Sequence, residues 1–139
     1  MPGAAPAAVT AKTERLIRSC ANRKRARLGI PALRPDRGLA RAARAHARTM
    51  LQKGFFDHTD PQGRGPADRV ARVSSRNWVA VGENIAAGFP SASSTCSRWN
   101  KAHLDNILRR SYTHIGAGYA EGKRGYGRYY VQVFGTLRR

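Results

Sequence analysis

Negative charge is what this chain has least of. Its 139 residues carry 8 Asp and Glu against 26 Lys and Arg, a formal net charge of +18. Long apolar runs are missing as well, and none approaches the roughly 20 residues that a membrane-spanning helix needs, so a soluble chain is expected. The opening Met1-Pro2-Gly3-Ala4-Ala5-Pro6-Ala7-Ala8 has no basic n-region and no apolar h-region. It is therefore not read as a signal peptide, although a secreted protein lacking its leader would begin in the same way. Residues 1–9 are expected as a flexible lead-in and residues 10–139 as one folded domain, a length that supports one core but not two. The only cysteines, Cys20 and Cys96, exclude a Cys-rich metal cluster and leave one disulfide or two free thiols as equal alternatives. Internal repeats are absent.

What is present is arginine, 21 residues against 5 lysines. So positive a field attracts phosphate, teichoic-type polymers, anionic lipid or nucleic acid, the last non-specifically at most. The plainer reading is a solvated basic face. A monomer is expected.

Hydrophobic spacing predicts helices first. Thr10 or Thr13 can cap a helix running to Leu28, with Glu14 in its first turn and Leu16, Ile17, Cys20, Ala21 and Leu28 on one face. Asn22 and Arg25 are read as its polar surface. Asp36 can cap a second helix that ends at Gly54, with Leu39, Ala43, His46 and Met50 as its apolar stripe and Arg37, Arg41, Arg44 and Arg48 on another face. His46, lying in the stripe, is favoured as a hydrogen-bonded structural histidine over a ligand. Phe55-Phe56-Asp57-His58 then enters a Gly/Pro-rich loop, where two aromatics tether His58. A short helix is predicted over Pro66–Val73, a turn over Ser74–Asn77 and a short strand over Trp78–Val81. After a loop of small residues, Thr95–His103 reads as helix, with room to continue to Leu108. The alternation in Thr113–Ala120 and Arg128–Gly135, around a basic turn at Gly122–Gly127, predicts a hairpin. The order implies an α+β fold with a small antiparallel sheet covered by helices.

Site chemistry concentrates in Val81-Gly82-Glu83-Asn84-Ile85 and His103-Leu104-Asp105-Asn106-Ile107. Glu83 is among the few acids lying in an apolar stretch, and a buried carboxylate needs a partner because desolvation disfavours its charge. His58 and His103 are the expected partners, and the trio is expected to converge on one cavity. Asn84 is expected to orient the Glu83 loop. Asn106, Arg69 and Gln132 are read as structural hydrogen-bonders, and Trp99 and Phe134 as core.

In this order, the stretches resemble the CAP superfamily of cysteine-rich secretory proteins, venom antigens and plant pathogenesis-related proteins, in its bacterial SCP-like form. The resemblance runs from Asn22-x-x-Arg25 through Leu39–Met50, Gly54–His58, Asp68-Arg69, Gly82–Ile85, Trp99, His103-x-x-Asn106-Ile107 and Ile115-Gly116-x-Gly118 to Tyr130–Gly135. It implies a three-layer α-β-α sandwich and a cavity of two His and two acidic residues that in some members holds a divalent metal. His58, Glu83 and His103 match three of the four and are the candidate metal ligands and candidate catalytic residues. The fourth falls at Ala102, three residues past Trp99, and the segment between Trp99 and His103 is shorter than in most bacterial relatives. Two imidazoles and a carboxylate suit Zn²⁺ with an open water position, and equally a metal-free network. The expected function is a secreted binding module for a lipid, a sterol or a cell-wall polymer. Metal-dependent hydrolysis through the trio is a second reading, ranked lower because no Ser or Cys nucleophile stands beside a base. Binding of anionic polymer or nucleic acid through the arginine-rich surface is the third.

Overall fold

The computed structural model describes residues 4–138. One sheet has the strand order β1-β3-β4-β2, formed by β1 (Arg34–Pro35), β2 (Trp78–Ala87), β3 (His114–Glu121) and β4 (Arg128–Leu137). The β2–β4 and β3–β4 pairs are antiparallel, but β1 runs parallel to β3, so the sheet is mixed rather than purely antiparallel. Helices α2 (Arg37–Lys53) and α3 (Pro66–Val73) cover one face, and α1 (Ala7–Arg27), α4 (Ala92–Ser97) and α5 (Lys101–Ile107) cover the other. Two apolar clusters result, one on each face. Leu39, Met50, Val70 and Ile85 lie in one, and Ile17, Trp99, Ile115 and Phe134 in the other. This is the α-β-α sandwich.

α2 forms where its local chemistry says it should. Asp36 Oδ2 accepts from the Leu39 amide at 2.9 Å, and Gly54 closes the helix at φ 74°, a left-handed cap that glycine adopts without steric cost. Its buried stripe lies directly on β3, because Gly116 and Gly118 have no Cβ; one there would fall inside the α2 backbone at Ala40 and Ala43. Full burial of a side chain such as Leu39 or Met50 contributes about 1.5–3 kcal/mol. On the other face, Cys20 and Cys96 form a disulfide that joins α1 to α4 across 76 positions. Cross-linking a loop of that length stabilises by about 4 kcal/mol in the chain-entropy picture.

Several expectations are corrected. α1 starts at Ala7 with no side-chain cap, so residues 7–9 of the expected lead-in are helical and neither Thr10 nor Thr13 caps it; residues 1–3 lie outside the described residues. Leu16 and Leu28 are exposed, whereas Arg25 is buried on the Ile17–Ala21 face. Asn22 is no surface residue either, since its amide pairs with both the N–H and the C=O of Leu33. β2 is ten residues long, which puts Glu83 and Asn84 on a strand, not in a loop. The helix expected over Thr95–His103 breaks at residues 98–100, because Asn100 caps a new helix with its own side chain. Phe56 is exposed.

Candidate functional site

β2 is an edge strand, and its alternation decides what Glu83 meets. Glu83 points to the α2/α3 face and Asn84 to the α1/α5 face. The Glu83 side chain is fully buried and both of its oxygens are used. Oε1 accepts from His58 Nδ1 at 2.9 Å and Oε2 from Arg69 Nη2 at 2.8 Å. Arg69 also donates to the Arg64 carbonyl at 2.7 Å, which fixes it under the 57–65 loop. Asp60 folds that loop by accepting from the amides of Gln62 and Arg64. The partner expected from His103 is thus supplied by Arg69. A guanidinium matches a buried carboxylate better than an imidazole does, being always charged and forked.

His46 packs beside this pair without joining it. Its Nε2 stands 2.8 Å from the Asp57 carbonyl, which can only accept, so Nε2 carries the proton; the 3.9 Å to Glu83 Oε1 is too long for a hydrogen bond. Nδ1 has no partner among the described residues. Burial pushes the His46 pKa down, against the attraction of Glu83, which keeps the ring neutral. His58 behaves oppositely. Its hydrogen bond to Glu83 raises its pKa against a smaller cost of burial, and half of its side chain faces solvent.

His103 reaches the same place from the opposite face of β2. It sits at the third position of α5 in a reciprocal cap: Asn100 Oδ1 accepts from the His103 amide, and His103 Nδ1 accepts from the Asn100 amide, both at 3.1 Å. Nδ1 is therefore unprotonated. Burial lowers the pKa of the ring, offset in part by the Ile85 carbonyl. His58 and His103 line one cavity of about 540 Å³ that wraps the free edge of β2. Its floor is Ile85–Ala87, and Phe89, Trp99 and Arg98 form the wall opposite Phe56 and His58. Trp99 and His103 pack with ring centroids 4.6 Å apart. Glu83 lies beneath His58 and does not line the cavity. Ala102 is exposed on α5.

Behind the cavity runs a buried amide chain. Asn106 Nδ2 donates to the Glu83 carbonyl at 3.1 Å and to Asn84 Oδ1 at 2.9 Å. Asn84 Nδ2 donates to the His103 carbonyl and to Gln132 Oε1, each at 3.0 Å. Gln132 Nε2 donates to the Ile17 carbonyl at 2.9 Å. The chain ties α5, β2, β4 and α1 together. Asn106, Gln132 and Arg69 thus satisfy backbone carbonyls as expected, and Trp99 and Phe134 are buried.

The donor set does not fit a metal as arranged. Glu83 has no free oxygen and already faces a cation. A metal on His103 Nε2 would leave the ring proton on Nδ1, where it would oppose the Asn100 amide. Among the described residues, no group of three His, Cys, Asp or Glu side chains is placed to hold a metal ion. Reading by sequence alone missed Arg69 as the partner of Glu83, and Arg98 and Phe89 as cavity walls. The shortage of acids was the one usable signal for the first, since each buried carboxylate among 26 cations calls for one of them.

A sandwich with this edge-strand cavity defines an SCP-type domain. The profile of the cysteine-rich secretory protein family matches residues 19–134, and the chain belongs to that family. It is 33% identical over 119 residues to the uncharacterized protein YkwD of Bacillus subtilis, covering 84% of this chain and 46% of YkwD. An extracellular protein of Bacillus anthracis that contains an SCP domain superposes with a TM-score of 0.81 at 26% identity, over 94% of this chain and 41% of that one. An outer surface protein of Borrelia burgdorferi shares the fold, with a TM-score of 0.78 at 19% identity over 89% of this chain and 92% of that one. The chain therefore spans less than half the length of its two Bacillus relatives. Among the described residues, no helix is long and apolar enough to cross a membrane.

Proposed function

We propose that this chain is a secreted binding module whose ligand enters the cavity around the edge of β2, and that a cell-wall polymer suits that cavity better than a sterol or a lipid tail. The observation that carries this is the lining. The aromatic side chains of Phe56, Phe89 and Trp99 line the cavity beside polar groups at His58, Asn100 and Arg98, and it is broadly open to solvent. Flat rings beside directional hydrogen-bond groups suit a sugar-type polymer; an acyl chain or a sterol calls for an enclosed apolar slot. The extracellular and outer-surface descriptions of two structural neighbours support secretion.

Hydrolysis has less support. The lining contains no hydroxyl or thiol, both cysteines are bonded to each other, and the Glu83 carboxylate is sealed by Arg69 and His58. A divalent metal such as Zn²⁺ would require His103 to give up its cap, so the preferred reading is metal-free, with Glu83 held by His58 and Arg69 and His103 held by Asn100. The exposed arginines of α2 supply general attraction for anionic polymers rather than a defined site.

Co-sedimentation with purified cell wall, beside soluble wall fragments and lipid vesicles, tests the proposal. Wall binding should survive moderate salt and weaken about tenfold in a Trp99→Ala or Arg98→Ala variant. Binding to vesicles alone, or wall binding indifferent to both variants, would overturn it.

A further inference from the structure

The end of the sheet farthest from this cavity carries a second recess, of about 520 Å³, between the 31–34 segment, the 110–114 segment and the end of β4. The two lie at opposite ends of β4, roughly 25 Å apart by strand rise. Among the described residues, the charged groups lining the second recess are Arg25, Arg34, Arg110, Arg138 and His114, with no carboxylate among them. Arg34 and Arg110 are exposed and make no ion pair with any described carboxylate. Asp36, the acid acting on His114, is already held by Arg76 at 2.6 Å.

The floor is what separates this recess from a merely basic surface. Arg25 is 1% exposed and has no acidic partner among the described residues. Its guanidinium donates instead to the carbonyls of Pro31 at 2.8 Å, Ile107 at 2.8 Å, Arg109 at 2.8 Å and Tyr112 at 3.4 Å. Those bonds fix the two segments that present Arg34 and Arg110, so the walls are held before any ligand arrives. They leave the buried charge itself uncompensated. Burial presses the Arg25 pKa down, and the neighbouring Arg110 adds to that effect.

We propose that this recess binds a phosphate-bearing anion, held by Arg34 and Arg110 over the buried Arg25 charge. Guanidinium forks take two phosphate oxygens at once, and the negative charge of a phosphate group, monoester or diester, offsets the charge that the carbonyls cannot. The site is independent of the His58 cavity.

Calorimetry with inorganic phosphate, a soluble glycerol phosphodiester and phosphatidylglycerol vesicles tests it. The variants are Arg34→Gln/Arg110→Gln and a control, Arg41→Gln/Arg48→Gln, which removes the same two charges from exposed positions of α2. One-site binding should weaken at least about tenfold in the recess pair and less than about twofold in the α2 pair. Tighter binding of the soluble diester assigns the source to a free or polymeric phosphate, and tighter binding of vesicles assigns it to a lipid headgroup. Equal weakening by both pairs, or no saturable binding of any probe, would overturn the proposal.

Discussion

Arg25 and Arg69 are both buried guanidinia, yet they solve desolvation differently. Arg69 faces a carboxylate, and its charge is cancelled within the Glu83–His58 network. Arg25 faces only carbonyls, and its charge is not cancelled at all. The first arrangement tunes a neighbour, since what Glu83 gives to Arg69 and His58 sets the protonation of an exposed ring. The second organises backbone by gathering four carbonyls from two separate segments. Burial of an arginine thus says little about its role until its acceptors are known.

The largest effect is expected at Arg25. Arg25→Met strands several carbonyls together and should cost about 3–5 kcal/mol in chemical denaturation; a loss below about 1 kcal/mol would show that the clamp matters little. No second substitution should rescue it, because no acid is left behind. Arg69→Met should cost about 3 kcal/mol by leaving Glu83 Oε2 buried without a donor and only His58 to face the charge, and adding Glu83→Gln should recover part of the loss. A double-mutant cycle without that recovery would contradict the pairing.

A smaller effect sharpens the contrast through pH. The raised His58 pKa contributes stability that is fully present below the ordinary histidine value of about 6.5 and is lost as pH rises through the folded value. His46, whose pKa is lowered, works the other way, and its contribution is lost as pH falls below about 6.5. NMR titration should place the His58 midpoint above that of His46, and Glu83→Gln should bring the His58 midpoint down. A reversed order would contradict the network. The smallest effect expected is from Asn106→Ala, about 1–2 kcal/mol with the His58 midpoint unmoved.

The sequence made much of this fold legible, and the reasons are local. The Asp36 cap, the α2 stripe and Gly54 are short-range signals, as is the Pro66–Val73 helix. β1 escaped because two residues, Arg34 and Pro35, show no alternation and pair in parallel with a strand far along the chain. The pause between α4 and α5 escaped because Arg98-Trp99-Asn100 keeps helical polarity while Asn100 turns its side chain to the backbone. Arg25 was readable in principle: Ile17, Ala21 and Arg25 step by four, so burial of the first two implied burial of the third. His58 and Glu83 were paired correctly by chemistry. That His103 comes from the other face of an edge strand depends on sheet order, which no local pattern carries.

Among the described residues, Glu83 is satisfied by Arg69 and His58 alone. Titrating Zn²⁺ into chelator-stripped protein by calorimetry tests it most directly, beside Glu83→Gln and His58→Ala/His103→Ala. No saturable one-site binding that depends on these residues is expected. One-site binding in the parent chain, abolished in both variants, would contradict it.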